Sequence, residues 1–142
     1  MQSQPSVITR RLGSFLLLAF LATSLSACAS PSPRERLASR LVEYEAVAGE
    51  PVDGFNFFTL QRFELLGPQT IAVWTRVNKV FLIDVQRPCP GLEFAGGIGV
   101  SSSQNRVSTR FDAVQFNRER CQIRQIRPID SRALKARLKA RY

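Results

Sequence analysis

Cys28 closes the apolar run "FLLLAFLATSLSAC" and is one of only three cysteines in 142 residues. Its position constrains the rest of the chain more than any other feature. Upstream of it, Arg10 and Arg11 make a basic start and Phe15 to Ala22 an apolar stretch. Ser24, Leu25, Ser26 and Ala27 then lead to the cysteine. That order is the layout of a secretory signal. A transmembrane helix is the competing reading, because no charge occurs between Leu12 and Pro33. A span needs about 20 predominantly apolar residues, whereas Thr23, Ser24 and Ser26 dilute this run. Residues 1–27 are therefore read as a signal peptide.

The tetrapeptide Leu25-Ser26-Ala27-Cys28 resembles the lipobox of bacterial lipoproteins in spacing and position. The resemblance implies that the Cys28 thiol receives a diacylglyceryl group, that cleavage falls just before it, and that the new amine is acylated. Several acyl chains make a stable anchor where one is marginal. An ordinary signal peptide with a cysteine near its cut is the alternative. Residue 29 is Ala; Gram-negative lipoproteins kept at the inner membrane commonly carry aspartate there. The resemblance thus implies the periplasmic face of the outer membrane.

Removing residues 1–27 leaves 115, enough for one domain with a modest core. Lipidation of Cys28 would leave Cys89 and Cys121, an even pair that in an oxidising compartment reads as one disulfide. Two buried free thiols are the alternative. No metal or other cofactor is expected, because the chain has no histidine and no CxxC spacing. After loss of Arg10 and Arg11, 18 Lys plus Arg face 11 acids, a balance of +7. Such a surface suits phospholipid head groups, lipopolysaccharide phosphates or acidic polymers; nucleic acid is not expected. A solvated surface without a partner is the plainer alternative.

Residues 28–33 form a Ser/Pro tether, and six extended residues reach only about 20 Å. The domain, residues 34–142, would therefore stay close to the membrane. Ser32, Pro33 and Glu35 have the order of N-cap, first helical residue and capping box. Leu37, Leu41, Tyr44 and Val47 recur on one face of a helix over about 33–48, with Gly49 as its stop. Strands are expected at 55–66, 70–77, 79–86, 106–111, 113–116 and 121–129, with a tight hairpin at Asn78. Within 70–77, Ile71, Val73 and Thr75 share one face, and Ala72, Trp74 and Arg76 the other. Gly96, Gly97 and Gly99 fit neither a dinucleotide nor a P-loop pattern and read as turn, bulge or close-approach glycines. Asp130 or Ser131 can cap a closing helix in which Leu134, Leu138 and Tyr142 make a narrow apolar stripe. Arg132, Lys135 and Lys139 flank it on one side, Arg137 and Arg141 on the other. This helix either lies on an anionic bilayer with these five residues snorkelling, or docks its stripe on the sheet and leaves the charges in water.

Without histidine the chain lacks the commonest general base and every Ser–His triad. Asp53, Glu64, Asp84, Glu93 and Asp112 show no paired spacing, and Asp84 in "LIDV" is an acid inside an apolar strand. An outward position or an arginine partner explains it more simply than catalysis. The blocks "VWTRVNKVFLIDV", "PCPGLEFAGGIGVSSSQNRVSTRFDAV" and "CQIRQIRPID" resemble a family of small proteobacterial envelope proteins of unknown function, over roughly residues 50–130. The likeness implies an exported domain with Cys89 and Cys121 paired, and brings no active-site residue. The expected architecture is α+β: a leading helix, an antiparallel sheet of about five strands and a short closing helix. The expected role is non-catalytic binding or support at the membrane. A histidine-independent envelope hydrolase using acidic residues is the alternative.

Overall fold

The computed structural model describes residues 30–141. The chain divides between Ser30 and Pro31, and the fold below is that of the second unit. Helix α1, Pro33–Glu45, starts as its sequence requires: Ser32 accepts from the Glu35 amide while Glu35 accepts from the Ser32 amide. It ends at Glu45, short of Gly49, because Val47 and Ala48 turn to meet the end of a strand. Asp130 N–H donates to Val47 O, and Gly49 N–H to Pro128 O.

The strands are β1 (Gly54–Asn56), β2 (Arg62–Leu65), β3 (Thr70–Arg76), β4 (Lys79–Val85), β5 (Gly99–Val100), β6 (Arg106–Ser108), β7 (Ala113–Phe116) and β8 (Glu119–Ile129). Helix α2, Ser131–Ala140, closes the unit. Six strands form one antiparallel sheet in the order β2-β3-β4-β8-β7-β5, and β1 pairs with β6 in a separate ribbon. The architecture is α+β, but the expected five strands become six with the ribbon apart. The run 55–66 is not one strand. Phe55 is buried and stacks on Phe81 at 4.0 Å, whereas Phe58 stands 70% exposed. The chain leaves the ribbon at that point and crosses to pair with β3.

Alternation along β3 assigns the two faces. Ile71 and Val73 join Ile83, Val85, Val114, Ile123 and Ile126 in one cluster, covered by Phe55 and Val107 of the ribbon. Ala72 and Trp74 join Leu82, Ile129, Tyr44 of α1 and Leu134 of α2 in the other. The sheet is thus a middle layer, with helices on one face and the ribbon with the segment after β4 on the other. Both clusters, the disulfide and the strand pairing of the described residues lie within this second unit.

Turn chemistry differs among the hairpins. Val77–Asn78 tip β3–β4 with a register shift between Trp74 and Arg76. Asn117 and Arg118 join β7 to β8 with φ of 44° and 72°, the left-handed pair of a tight hairpin. Of the three glycines singled out above, Gly96 lies at a bend, and none makes a close backbone approach. Gly96 and Gly97 face open space, and neither they nor Gly99 has a positive φ. The constrained glycines are Gly91, with φ of 83°, and Gly54, whose added Cβ would lie 2.1 Å from Val107 O across the ribbon.

Candidate functional site

Charge placement begins with the acids. Asp84 faces the helices from β4 and is 7% exposed. Thr70 Oγ1 donates to it at 2.7 Å, and Arg127 and Arg124 approach at 3.7 and 3.9 Å. An arginine partner, not an outward position, therefore explains the acid in "LIDV". Glu64 on the edge strand β2 accepts from Arg40 Nε and from Tyr44 Oη, both at 2.5 Å. Burial, then the Glu64 acceptor and its charge, hold the Tyr44 phenol well above its ordinary value, so it acts as a donor at any physiological pH. Arg62, also on β2, stacks over Trp74 at 3.9 Å. Asp112 is 2% exposed and accepts from Ser101 Oγ and the Ser108 amide.

Seven of the 11 acids (Glu35, Glu43, Glu45, Glu64, Asp84, Asp112 and Asp130) are engaged within the domain as caps, counterions or acceptors. The arginines and lysines outnumber them and lie mostly at the surface. Helix α2 shows how basic residues divide between paired and open positions.

Asp130 is the N-cap of α2, accepting from the Arg132 and Ala133 amides, while Ser131 Oγ donates to Asn78 O. Leu134 is buried at 4% exposure and Leu138 packs beside it, so the apolar stripe docks inside the domain. Of the five basic residues, Arg137 and Arg141 turn to buried Glu43 of α1, at 2.8 and 3.4 Å. Arg141 also donates to Ser39 O. Arg132, Lys135 and Lys139 fall on the opposite flank, exposed and on one helical face. Lys135 Nζ donates to the exposed Asn78 side chain at 3.2 Å. Arg132 and Lys139 have no side-chain partner among the described residues. The sequence grouped these five correctly by flank, but Glu43 as the partner of one flank was hidden, being 94 residues from Arg137. Tyr142, the last residue of the expected stripe, and Cys28 lie outside the described residues.

Cys89 and Cys121 are bonded, with their Cα atoms 5.8 Å apart. The bond fastens the loop after β4 to β8. Beside that loop lies a groove of about 700 Å³ that sequence reading gave no hint of, since three distant segments build it. Leu37 and Leu41 come from α1, Leu66 and Pro68 from the β2–β3 turn, and Phe94 from the short 3-10 turn Leu92–Phe94. Among the described residues no cluster of three His, Cys, Asp or Glu could hold a metal, and no helix is long and apolar enough to cross a membrane.

These features define a small α+β domain with one disulfide, helices on one face of its sheet and three buried acids, Glu43, Asp84 and Asp112. The chain belongs to the family of unknown function DUF6491, which matches residues 11–142. That match extends beyond the stretch carrying the resemblance noted in the sequence. Neither a curated protein nor a solved structure matches the chain.

Proposed function

We propose that this protein is lipid-anchored through Cys28 at the periplasmic face of a bacterial outer membrane and acts there as a non-catalytic binding module for anionic envelope components. Phospholipid head groups and lipopolysaccharide phosphates are the anions such a surface would meet. The observation that carries the reading is the division of α2. Arg137 and Arg141 are tied to Glu43, leaving Arg132, Lys135 and Lys139 as an outward cationic face without an acidic neighbour in the helix. The short tether of residues 28–33 would keep the domain that carries this face near the head groups. Because the apolar stripe is buried, contact is electrostatic and rests on the surface, with no insertion of the helix.

The structure also selects the variant that tests it. Neutralising all five basic residues would strip Glu43 of its partners and confuse stability with binding. Arg132→Gln/Lys135→Gln/Lys139→Gln leaves both ion pairs in place. Each basic residue near an anionic surface contributes about 1 kcal/mol, so the triple variant should bind anionic vesicles roughly two orders of magnitude more weakly. Flotation of Ser30–Tyr142 with such vesicles at low salt should show binding by the wild type, loss in the variant, and loss in both at high salt. Equal flotation of the two proteins, or none by either, would contradict the proposal.

A further inference from the structure

The groove between α1, the β2–β3 turn and the 3-10 turn is separate from the outer face of α2 and has a different chemistry. Its walls are Leu37, Ala38, Leu41, Leu66, Pro68 and Phe94. About 700 Å³ falls within the range of roughly 300–1,000 Å³ used by small-ligand sites, which are mostly apolar with a few placed polar groups. Phe94 is 81% exposed, the highest of the large apolar side chains among the described residues. It stands beside an apolar wall, and among the described residues nothing covers it.

Two arginines border these walls. Arg87 Nε donates to Gln69 Oε1, which fixes the guanidinium while its terminal amino groups have no partner among the described residues. Arg34, exposed in the first turn of α1, has no ion pair there either. Glu93 is the one acid of the lining. The site therefore pairs an apolar slot with a net positive border. That is the complement of an acyl chain ending in a phosphate, which guanidinium groups bind with directed, charge-assisted hydrogen bonds. Ser32 also lines the groove, only four residues from Cys28. On the proposed anchor, a tether this short keeps the domain that bears the groove near the bilayer.

We infer that this groove takes one acyl chain of an anionic membrane phospholipid, with the lipid phosphate held by Arg34 and Arg87. The chain's own anchor is a poorer occupant, because diacylglyceryl and an acylated amine offer no anion to the two arginines. Only the closeness to the bilayer rests on the proposed anchor; the lining does not.

The test uses Ser30–Tyr142 in solution, with a single-chain phospholipid bearing a phosphoglycerol head and a photoactivatable tail, kept below its micelle concentration. Mass spectrometry of the peptides should place the label on the first turns of α1 and on the Glu93–Phe94 segment. Ala38→Trp, at an exposed helical position, fills the slot and should reduce labelling about tenfold while leaving the thermal unfolding curve in place. Arg34→Gln/Arg87→Gln should weaken binding by about tenfold or more, the worth of one or two charge-assisted hydrogen bonds. It should also abolish preference over a probe with the same tail and a phosphate-free glycerol head. Label spread over other surfaces, indifference to Ala38→Trp, or equal labelling by the two head groups in the wild type would overturn the inference. The α2 triple variant separates the two readings. Normal groove labelling by a protein that no longer floats with vesicles supports an independent lipid site, and parallel loss of both would refute it.

Discussion

Replacing Cys89 and Cys121 together by serine should lower the unfolding free energy of Ser30–Tyr142 by roughly 3–4 kcal/mol. The bond joins residues 32 apart in sequence. The enclosed segment contains the 3-10 turn, β5 and β6, which are short and held by few backbone hydrogen bonds of their own. Cys89 and Cys121 are also buried in the main hydrophobic cluster, so hydroxyls placed there add a desolvation penalty. A domain of this size has about 5–15 kcal/mol in total, and the loss would consume a large part of it. Chemical denaturation with and without reductant measures the difference. Trypsin should cut first at Arg106 or Arg110 in the reduced protein, because the released segment opens before the β3–β4–β8 centre. Unchanged stability after reduction would mean that packing alone holds the segment.

Asp84→Ala should cost about 3 kcal/mol. Breaking a buried ion pair by deleting one partner typically costs roughly 3–5 kcal/mol, because the other charge is left in a poor solvent. Arg127 retains 21% side-chain exposure and a second contact with Glu45 at 3.7 Å, which places the effect at the low end. Its Nε is already buried without a hydrogen-bond partner among the described residues, so the site has little capacity to absorb further loss. Asp84→Asn keeps an acceptor for Thr70 and should fall between wild type and alanine. Equilibrium urea unfolding of the three proteins orders them. If Asp84→Ala is as stable as wild type, the acid is not the counterion that keeps Arg127 under the helices.

Local chemistry was legible in the sequence wherever it acts over a few residues. The capping box at Ser32 and Glu35, the β3–β4 hairpin at Asn78 and the alternating faces of β3 all depend on near neighbours, and all appear in the structure. The disulfide followed from the pairing of the two remaining cysteines and from the family likeness. What escaped depends on segments meeting across the fold. "FNFFTLQRFELL" reads as one strand because its apolar content is continuous, yet only tertiary contacts decide that Phe55 stacks on Phe81 and Phe58 points to water. β5 hid among glycines because a two-residue strand has no period to detect. The glycine that does require its missing side chain, Gly54, is recognisable only from Val107 on the opposing strand. The same holds for the candidate sites: α2 displayed its charges openly, but Glu43 selects which of them remain outward. The groove had no signature at all, since no one segment contains enough of it.

The anchor is the premise that brings both candidate surfaces to a membrane, and intact mass spectrometry of the protein extracted from bacterial envelopes tests it most directly. The expected result is an N-terminal peptide beginning at Cys28, carrying diacylglyceryl on sulfur and an acyl group on nitrogen, and loss of the protein from the membrane fraction in Cys28→Ser. A mature chain that begins with an unmodified Cys28, or one that keeps residues 1–27 while remaining in the membrane, would contradict it.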